Sequence, residues 1–229
     1  MAEEIEPLIK LGDFEKKSSN AFEYYVGIAG DHRLIVTVSK IGKVAMATCV
    51  QHFITLINNS SEFEEKEIEL IINMGVAGAI SNKLDQGDIV VADRLCQHDM
   101  DVTGLGYEVG LNPDFESIYF DANSEIIEKI KKVHDTMDTD YKLHIGTIAS
   151  GDQFISSHEK KVFIEETFGA YACEMEGAAL AQVAYTNGID FLVIRAISDL
   201  ADGEAPLSYV DFKSKAIVNL TELVEKYIF

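Results

Sequence analysis

The chain has 229 residues, of which 47% are hydrophobic, and a formal net charge of −20 at pH 7. This length and apolar content fit one well-filled α/β domain spanning 1–229 and exclude a disordered chain. The charge argues against nucleic acid and anionic membrane surfaces as partners, and three arginines (Arg33, Arg94 and Arg195) are few for an enzyme that grips free phosphate.

The elements follow from hydrophobic periodicity. The N-terminus, Met-Ala-Glu-Glu-Ile-Glu, has neither the basic region nor the apolar core of a secretory signal. Strands are predicted at 22–28 and 33–39, then a helix over Lys43–Asn58 with Val44, Ala47, Phe53 and Ile54 on one face. Strands follow at 67–75 and 88–95, a helix over Ser124–Met137, and a strand at 143–149. A small-residue helix over Glu176–Asn187, a strand at 190–198 and a helix over Ser208–Tyr227 complete the chain. The strands Ile89-Val-Val-Ala92 and Phe191-Leu-Val-Ile194 are apolar on both faces, so the sheet is expected to be covered by helices on both sides. No apolar run reaches the roughly 18 residues of a spanning helix. Cys49, Cys96 and Cys173 lack CxxC spacing, which points to a reducing, cytoplasmic setting.

In such sheets ligands gather beyond the carboxyl ends of strands. Three segments converge there: Asn73-Met-Gly-Val-Ala-Gly78, the Ser150-Gly-Asp152 turn, and Ser198-Asp199. Asp199 ends an apolar strand, where desolvation raises a carboxyl's pKa and suits it to donate a proton; the ordinary alternative is a turn or N-cap aspartate. Glu174 and Glu176, two apart, do not share a helix face, so one can meet a ligand while the other serves the fold. Phe154 can stack on a flat base, or be core, and Ile155 brings backbone to the same spot. Gly75 and Gly78 allow close backbone approach to a ligand, and Ala77 and Gly78 are candidate binding positions.

Other patterns carry less. Gly104-Leu-Gly-Tyr-Glu-Val-Gly110 has the wrong spacing for a dinucleotide loop. His98-Asp-Met-Asp101 lacks a second histidine or cysteine pair for a metal. No Gly-x-Ser-x-Gly elbow is present.

Taken together, Ser39-Lys-Ile-Gly-Lys-Val44, Asn73-Met-Gly-Val-Ala-Gly78, Gly87-Asp-Ile-Val-Val-Ala-Asp93, His98-Asp-Met-Asp-Val-Thr103, Gly106-Tyr-Glu108, Ser150-Gly-Asp-Gln-Phe-Ile155, Glu174-Met-Glu-Gly177 and Arg195-Ala-Ile-Ser-Asp-Leu-Ala-Asp202 run nearly the whole length. In this order they resemble the bacterial 5′-methylthioadenosine/S-adenosylhomocysteine nucleosidases of the nucleoside phosphorylase superfamily. The resemblance implies a three-layer α/β/α subunit with a mixed, partly closed central sheet, working as a homodimer. It implies no cofactor and no metal. Asp199 looks like the general acid that protonates adenine N7, with Ser198 beside it. Glu176 is similar to the carboxylate that holds the ribose hydroxyls, with Met175 packed on the sugar. Phe154 and Ile155 match the residues that stack on and contact the base. Arg195 looks like the arginine near the attacking water, and Glu4 like the glutamate that activates it. The choice of Glu4 over Glu3 or Glu6 rests on Ile5 and Pro7-Leu8. Ile41, Tyr209 and Phe212 are similar to residues lining the 5′-alkylthio pocket, and Leu105, Tyr107 and Pro113 lie where the partner subunit closes it.

Two departures stand out. Members of that family begin with a short apolar strand and a Gly-Ala-Met turn; here Met1 stands almost where that Met falls, so the first strand is expected to be missing before Met1. Val76 occupies a position where many members carry a serine that helps hold the water. Three alternatives follow from the same residues: a phosphate-dependent phosphorylase, a hydrolase of futalosine-type nucleosides, and a non-catalytic nucleoside-binding protein.

Overall fold

The computed structural model describes residues 2–10, 12–20, 22–63, 68–202 and 205–228; the side chains at 2–4, 29, 206–211 and 213 lie outside the described set. The chain opens with helix α1 (Ala2–Ile9) and a three-stranded antiparallel sheet, β1 (Phe14–Ser19), β2 (Phe22–Ala29) and β3 (His32–Thr37). Phe22, Tyr24 and Val26 alternate onto one face of β2 and pack with Cys49 and Phe53 of α2 (Lys43–Asn59). The Tyr24 ring meets the Phe53 ring edge-on at 5.2 Å.

The second sheet contains β4 (Ile71–Ala79), β5 (Ile89–Gln97), β6 (Tyr119–Asp121), β7 (Leu143–Ser150), β8 (Ala170–Glu174) and β9 (Phe191–Asp199), in the order β6-β5-β7-β8-β4-β9. β5 also pairs antiparallel with β9, Ile89 to Val91 against Ala196 to Ile194. That pairing joins β5, β7, β8, β4 and β9 into a closed ring, so the mixed sheet curls into a barrel with β6 on its outside. Every residue of β9 is buried, as its two apolar faces require. α2 and α5 (Gly177–Asn187) cover one side through Met46, Val50, Ile54 and the alanines of α5. α3 (Ser124–His134) and α6 (Ala205–Ile228) cover the other, through Ile126, Ile130, Ala216, Leu220 and Leu223. α4 (His158–Phe168) seats Ile164 and Phe168 against Ile80, Ala149 and Ala170. This is the α/β/α layering expected from the sequence, with the closure carried by β5 and β9.

Most predicted elements fall within a few residues of the observed ones. The strand expected at 67–75 is displaced to Ile71–Ala79, because 68–70 are irregular and the pairing with β9 continues to Gly78. The C-terminal helix starts at Ala205, ahead of the expected Ser208. Among the described residues, α1, β1, β6, α4, β8 and a single 3-10 turn at Thr103–Leu105 were not expected.

Two strand edges face one cavity. β4 pairs with β8 only at Gly78 and Ala79, so its residues 71–77 are paired on the β9 side alone. β3 pairs with β2 alone. Residues of both edges line the same large cavity.

Candidate active site

The carboxyl ends of β4, β7, β8 and β9 open onto a cavity of about 1340 Å³. Asp199 is the last residue of β9 and only 2% exposed. Its register partner is Gly78 of β4, where the backbone runs so close that a Cβ would lie 2.8 Å from Asp199 Oδ1. Ser198 Oγ donates to Asp199 Oδ2 at 2.9 Å, and the Ala201 N–H donates to Oδ1 at 3.0 Å. Burial pushes the Asp199 pKa above the ordinary carboxylate value, and these two hydrogen bonds only partly offset it. The result is a carboxyl biased toward holding its proton at a cavity wall.

Glu174 and Glu176 divide as their spacing predicts. Glu174 ends β8 and is buried. It accepts hydrogen bonds from Ser150 Oγ, from the Glu176 N–H at 3.0 Å and from the Gly177 N–H at 2.8 Å. Ser150 Oγ in turn accepts from the Ala178 N–H at 2.7 Å. Together they satisfy the first N–H groups of α5, work an N-cap side chain usually does. Glu176 is the N-cap residue, yet its side chain makes no cap hydrogen bond. Its Oε1 instead accepts the Gly42 N–H at 2.8 Å, from the loop before α2. Burial first, and the neighbouring Glu174 charge second, raise the Glu176 pKa.

Arg195 is 2% exposed and lies along β9 beside β4. Its guanidinium pairs with Glu174 Oε2 at 2.5 Å, donates to Asn73 Oδ1, and donates to the backbone carbonyls of Ile194 at 3.0 Å and Asn73 at 3.2 Å. A buried charge is costly unless it is paired and hydrogen-bonded, and each charge here compensates the other.

Phe154 lines the cavity and is 50% exposed; Ile155 lines it too, and packs with Ile164 and Phe168. Ala77, Gly78, Ser198 and Met175 line the same cavity, as does Ile41, which is 69% exposed. Val76 lines it as well. Phe212, on α6, is exposed and stands outside the cavity lining, as do the exposed Leu105, Tyr107 and Pro113. The side chains of Glu4 and Tyr209 lie outside the described residues. Among the described residues no cluster of three His, Cys, Asp or Glu could hold a metal ion.

Sequence reasoning missed how Gly42, Lys43, Asp99 and Asp152 meet. The Lys43 N–H donates to Asp152 Oδ1 at 2.8 Å, and Lys43 Nζ reaches Asp99 Oδ1 at 2.6 Å and Gln97 Oε1 at 3.0 Å. The two residues of this ion pair are 56 positions apart, and no local spacing announces such a contact. Gly42 has φ 97°, a conformation that favours glycine; that glycine was the one local signal.

The match to known proteins covers the whole of this architecture. The family model of the phosphorylase superfamily matches residues 1–228. A 5′-methylthioadenosine/S-adenosylhomocysteine nucleosidase of Staphylococcus aureus is 37% identical over 220 residues, covering 96% of this chain and 91% of the relative. Among solved structures, a Helicobacter pylori mutant nucleosidase with 5′-methylthioadenosine in its active site superposes with a TM-score of 0.91 at 31% identity, covering 100% of this chain and 94% of the other. The Neisseria meningitidis nucleosidase in complex with methylthio-immucillin-A gives 0.89 at 32% identity, with coverage of 100% and 95%. A futalosine hydrolase of Helicobacter pylori gives 0.88 at 32% identity, with coverage of 100% and 94%. The chain belongs to the 5′-methylthioadenosine/S-adenosylhomocysteine nucleosidase family of the phosphorylase superfamily.

Proposed function

We propose that this chain is a purine N-glycosyl hydrolase that cleaves 5′-methylthioadenosine and S-adenosylhomocysteine into adenine and the S-substituted 5-thioribose. The observation that carries this reading is the placement of a buried Asp199 whose pKa is raised, the cavity-facing Glu176 and the half-exposed Phe154 on one cavity. Asp199 donates its proton to N7 of adenine and makes the base a better leaving group. Positive character then develops on the ribose. Glu176 holds the ribose hydroxyls, Phe154 stacks on the base, and Ile155 and Met175 frame base and sugar. Water is the nucleophile, activated by Glu4. Arg195 acts on that water through Glu174 and Asn73, to which its guanidinium is already bound. Acid catalysis of this kind contributes about 10²–10⁴-fold, and positioning and electrostatics supply the rest.

The arginines argue against phosphate as nucleophile. Arg33 donates to the Glu62 carbonyl and lies over the Phe63 ring, Arg94 donates to Thr147, and Arg195 is held by Glu174 and Asn73. The reading includes a single catalytic domain over 1–229, a cytoplasmic setting and a homodimer. Leu105, Tyr107 and Pro113 of each subunit would close the alkylthio pocket of the other, beside Ile41, Tyr209 and Phe212. Among the described residues no helix is long and apolar enough to cross a membrane.

A second reading, hydrolysis of futalosine-type nucleosides, is supported by the likeness to the futalosine hydrolase. Chromatography of reactions with each of the three nucleosides tests both. Adenine from the two thio-nucleosides supports the first reading. Turnover of the futalosine-type substrate alone supports the second. Binding without turnover of any of them contradicts both.

A further inference from the structure

A closed ring of polar contacts sits beside the carboxylate assigned to the ribose, and its members Lys43, Asp99 and Asp152 stand outside the cavity lining. Lys43 Nζ binds Asp99 Oδ1 at 2.6 Å; the other oxygen, Asp99 Oδ2, accepts the Asp152 N–H at 2.9 Å; and Asp152 Oδ1 accepts the Lys43 N–H at 2.8 Å, which closes the ring. The Lys43 and Asp99 side chains are 18% and 15% exposed. Water therefore screens this pair less than a surface pair. Burial pushes the Asp99 pKa up, but the Lys43 ammonium and the Asp152 amide outweigh it and hold the carboxyl below its ordinary value.

The ring spans three separate segments: the first residue of α2, the segment just after β5, and the turn after β7. One residue before Lys43, the Gly42 N–H points at Glu176 Oε1 from a φ of 97°. Glycine at that φ is conformationally free, and the very next amide, the Lys43 N–H, is held by Asp152 at 2.8 Å, so the ring anchors the chain one residue beyond the Gly42 amide. Two residues after Asp152 stands Phe154. Lys43 also reaches Gln97 Oε1, and Gln97 Nε2 donates to Gln182 of α5, the helix that Glu176 caps.

We propose that Lys43 and Asp99 are positioning residues which, by locking the Gly42 amide onto Glu176, set how well the site recognises the ribose hydroxyls. This rests on the nucleosidase reading, with Glu176 as the ribose carboxylate. The group recognised is a vicinal diol, and the pair acts on it only through Glu176.

The test compares kcat/KM for 5′-methylthioadenosine with that for its 2′-deoxy counterpart, in the wild-type protein, in K43M and in D99N. A well-aligned hydrogen bond to a charged group is worth enough that losing its alignment costs about tenfold. The preference for the ribonucleoside should therefore fall about tenfold in each variant. The K43M/D99N double variant should lose no more than either single one, because both remove the same contact. A purely structural role would lower both substrates together and leave the ratio unchanged. An unchanged ratio, or losses that add in the double variant, overturns the inference. D99N is nearly isosteric and decides the matter where K43M fails to fold. Wild-type protein that releases no adenine from either nucleoside removes the functional reading itself, whereas release with an unaltered ratio removes only this inference.

Discussion

Replacing Asp199 by Asn separates catalysis from stability. The amide has nearly the same shape and keeps an oxygen for the Ala201 N–H or the Ser198 hydroxyl, but it has no acidic proton. If Asp199 is the general acid, kcat should fall by about 10²–10⁴-fold. Stability should move the other way or hardly at all. Burial raises the Asp199 pKa in the folded state. The folded protein therefore favours the neutral form, and its stability is greatest below the unfolded pKa. That stability declines as pH rises from the unfolded value through the raised folded one. At neutral pH the Asn variant escapes this loss, so its Tm should equal or exceed that of the wild type. At this chain length 1 kcal/mol corresponds to about 2–4 °C. The same proton gives the activity profile its alkaline limb: kcat/KM should fall as pH rises through the raised folded pKa, and this limb should vanish in the variant. Adenine release and thermal melts across pH measure both. A variant within threefold of wild-type kcat refutes the assignment. A low Tm with proportionate loss of activity would mean that Asp199 serves the fold instead.

Other consequences follow from the same geometry. Glu176→Gln keeps an acceptor for the Gly42 N–H but loses the charge that binds the diol, so KM should rise about tenfold or more; steady-state kinetics checks it, and an unchanged KM would remove Glu176 from the ribose. Arg195→Met strands the buried Glu174 carboxylate and should cost about 3–5 kcal/mol in urea unfolding, whereas a cost below 1 kcal/mol would show that Glu174 finds another partner. Gly78→Ala puts a methyl 2.8 Å from Asp199 Oδ1 and 3.2 Å from the Ala201 Cβ, so kcat should drop with the fold intact by circular dichroism; wild-type kcat would show that this contact is not needed.

What the sequence revealed depended on how each residue earns its place. β9 and β5 are apolar on both faces, and that pattern alone located them. β1, Phe-Glu-Lys-Lys-Ser-Ser, was silent because it is an edge strand with one apolar residue. α4 hid for a similar reason, with charges at His158-Glu-Lys-Lys161 and Glu165-Glu166 and only two buried residues. β8 is five residues long and merges with the Glu174 motif. At the site, position singled out Asp199 at the end of β9, Glu176 just before α5 and Phe154 in the loop after β7, while the roles expected of them came from the family resemblance. The spacing of Glu174 and Glu176 left open which one meets a ligand, the family resemblance pointed to Glu176, and the Ser150, Arg195 and Gly42 contacts are what hold each in place. The Lys43–Asp99 pair joins distant segments, and only the folded chain brings it together.

The central claim is that water, and not phosphate, takes the ribose from adenine. It is tested most directly by incubating the protein with 5′-methylthioadenosine in isotopically labelled water, with and without phosphate, and weighing the sugar product. The account predicts adenine release without phosphate at an undiminished rate and one labelled oxygen at the anomeric carbon. Release that requires phosphate, with an unlabelled sugar 1-phosphate as product, would contradict it.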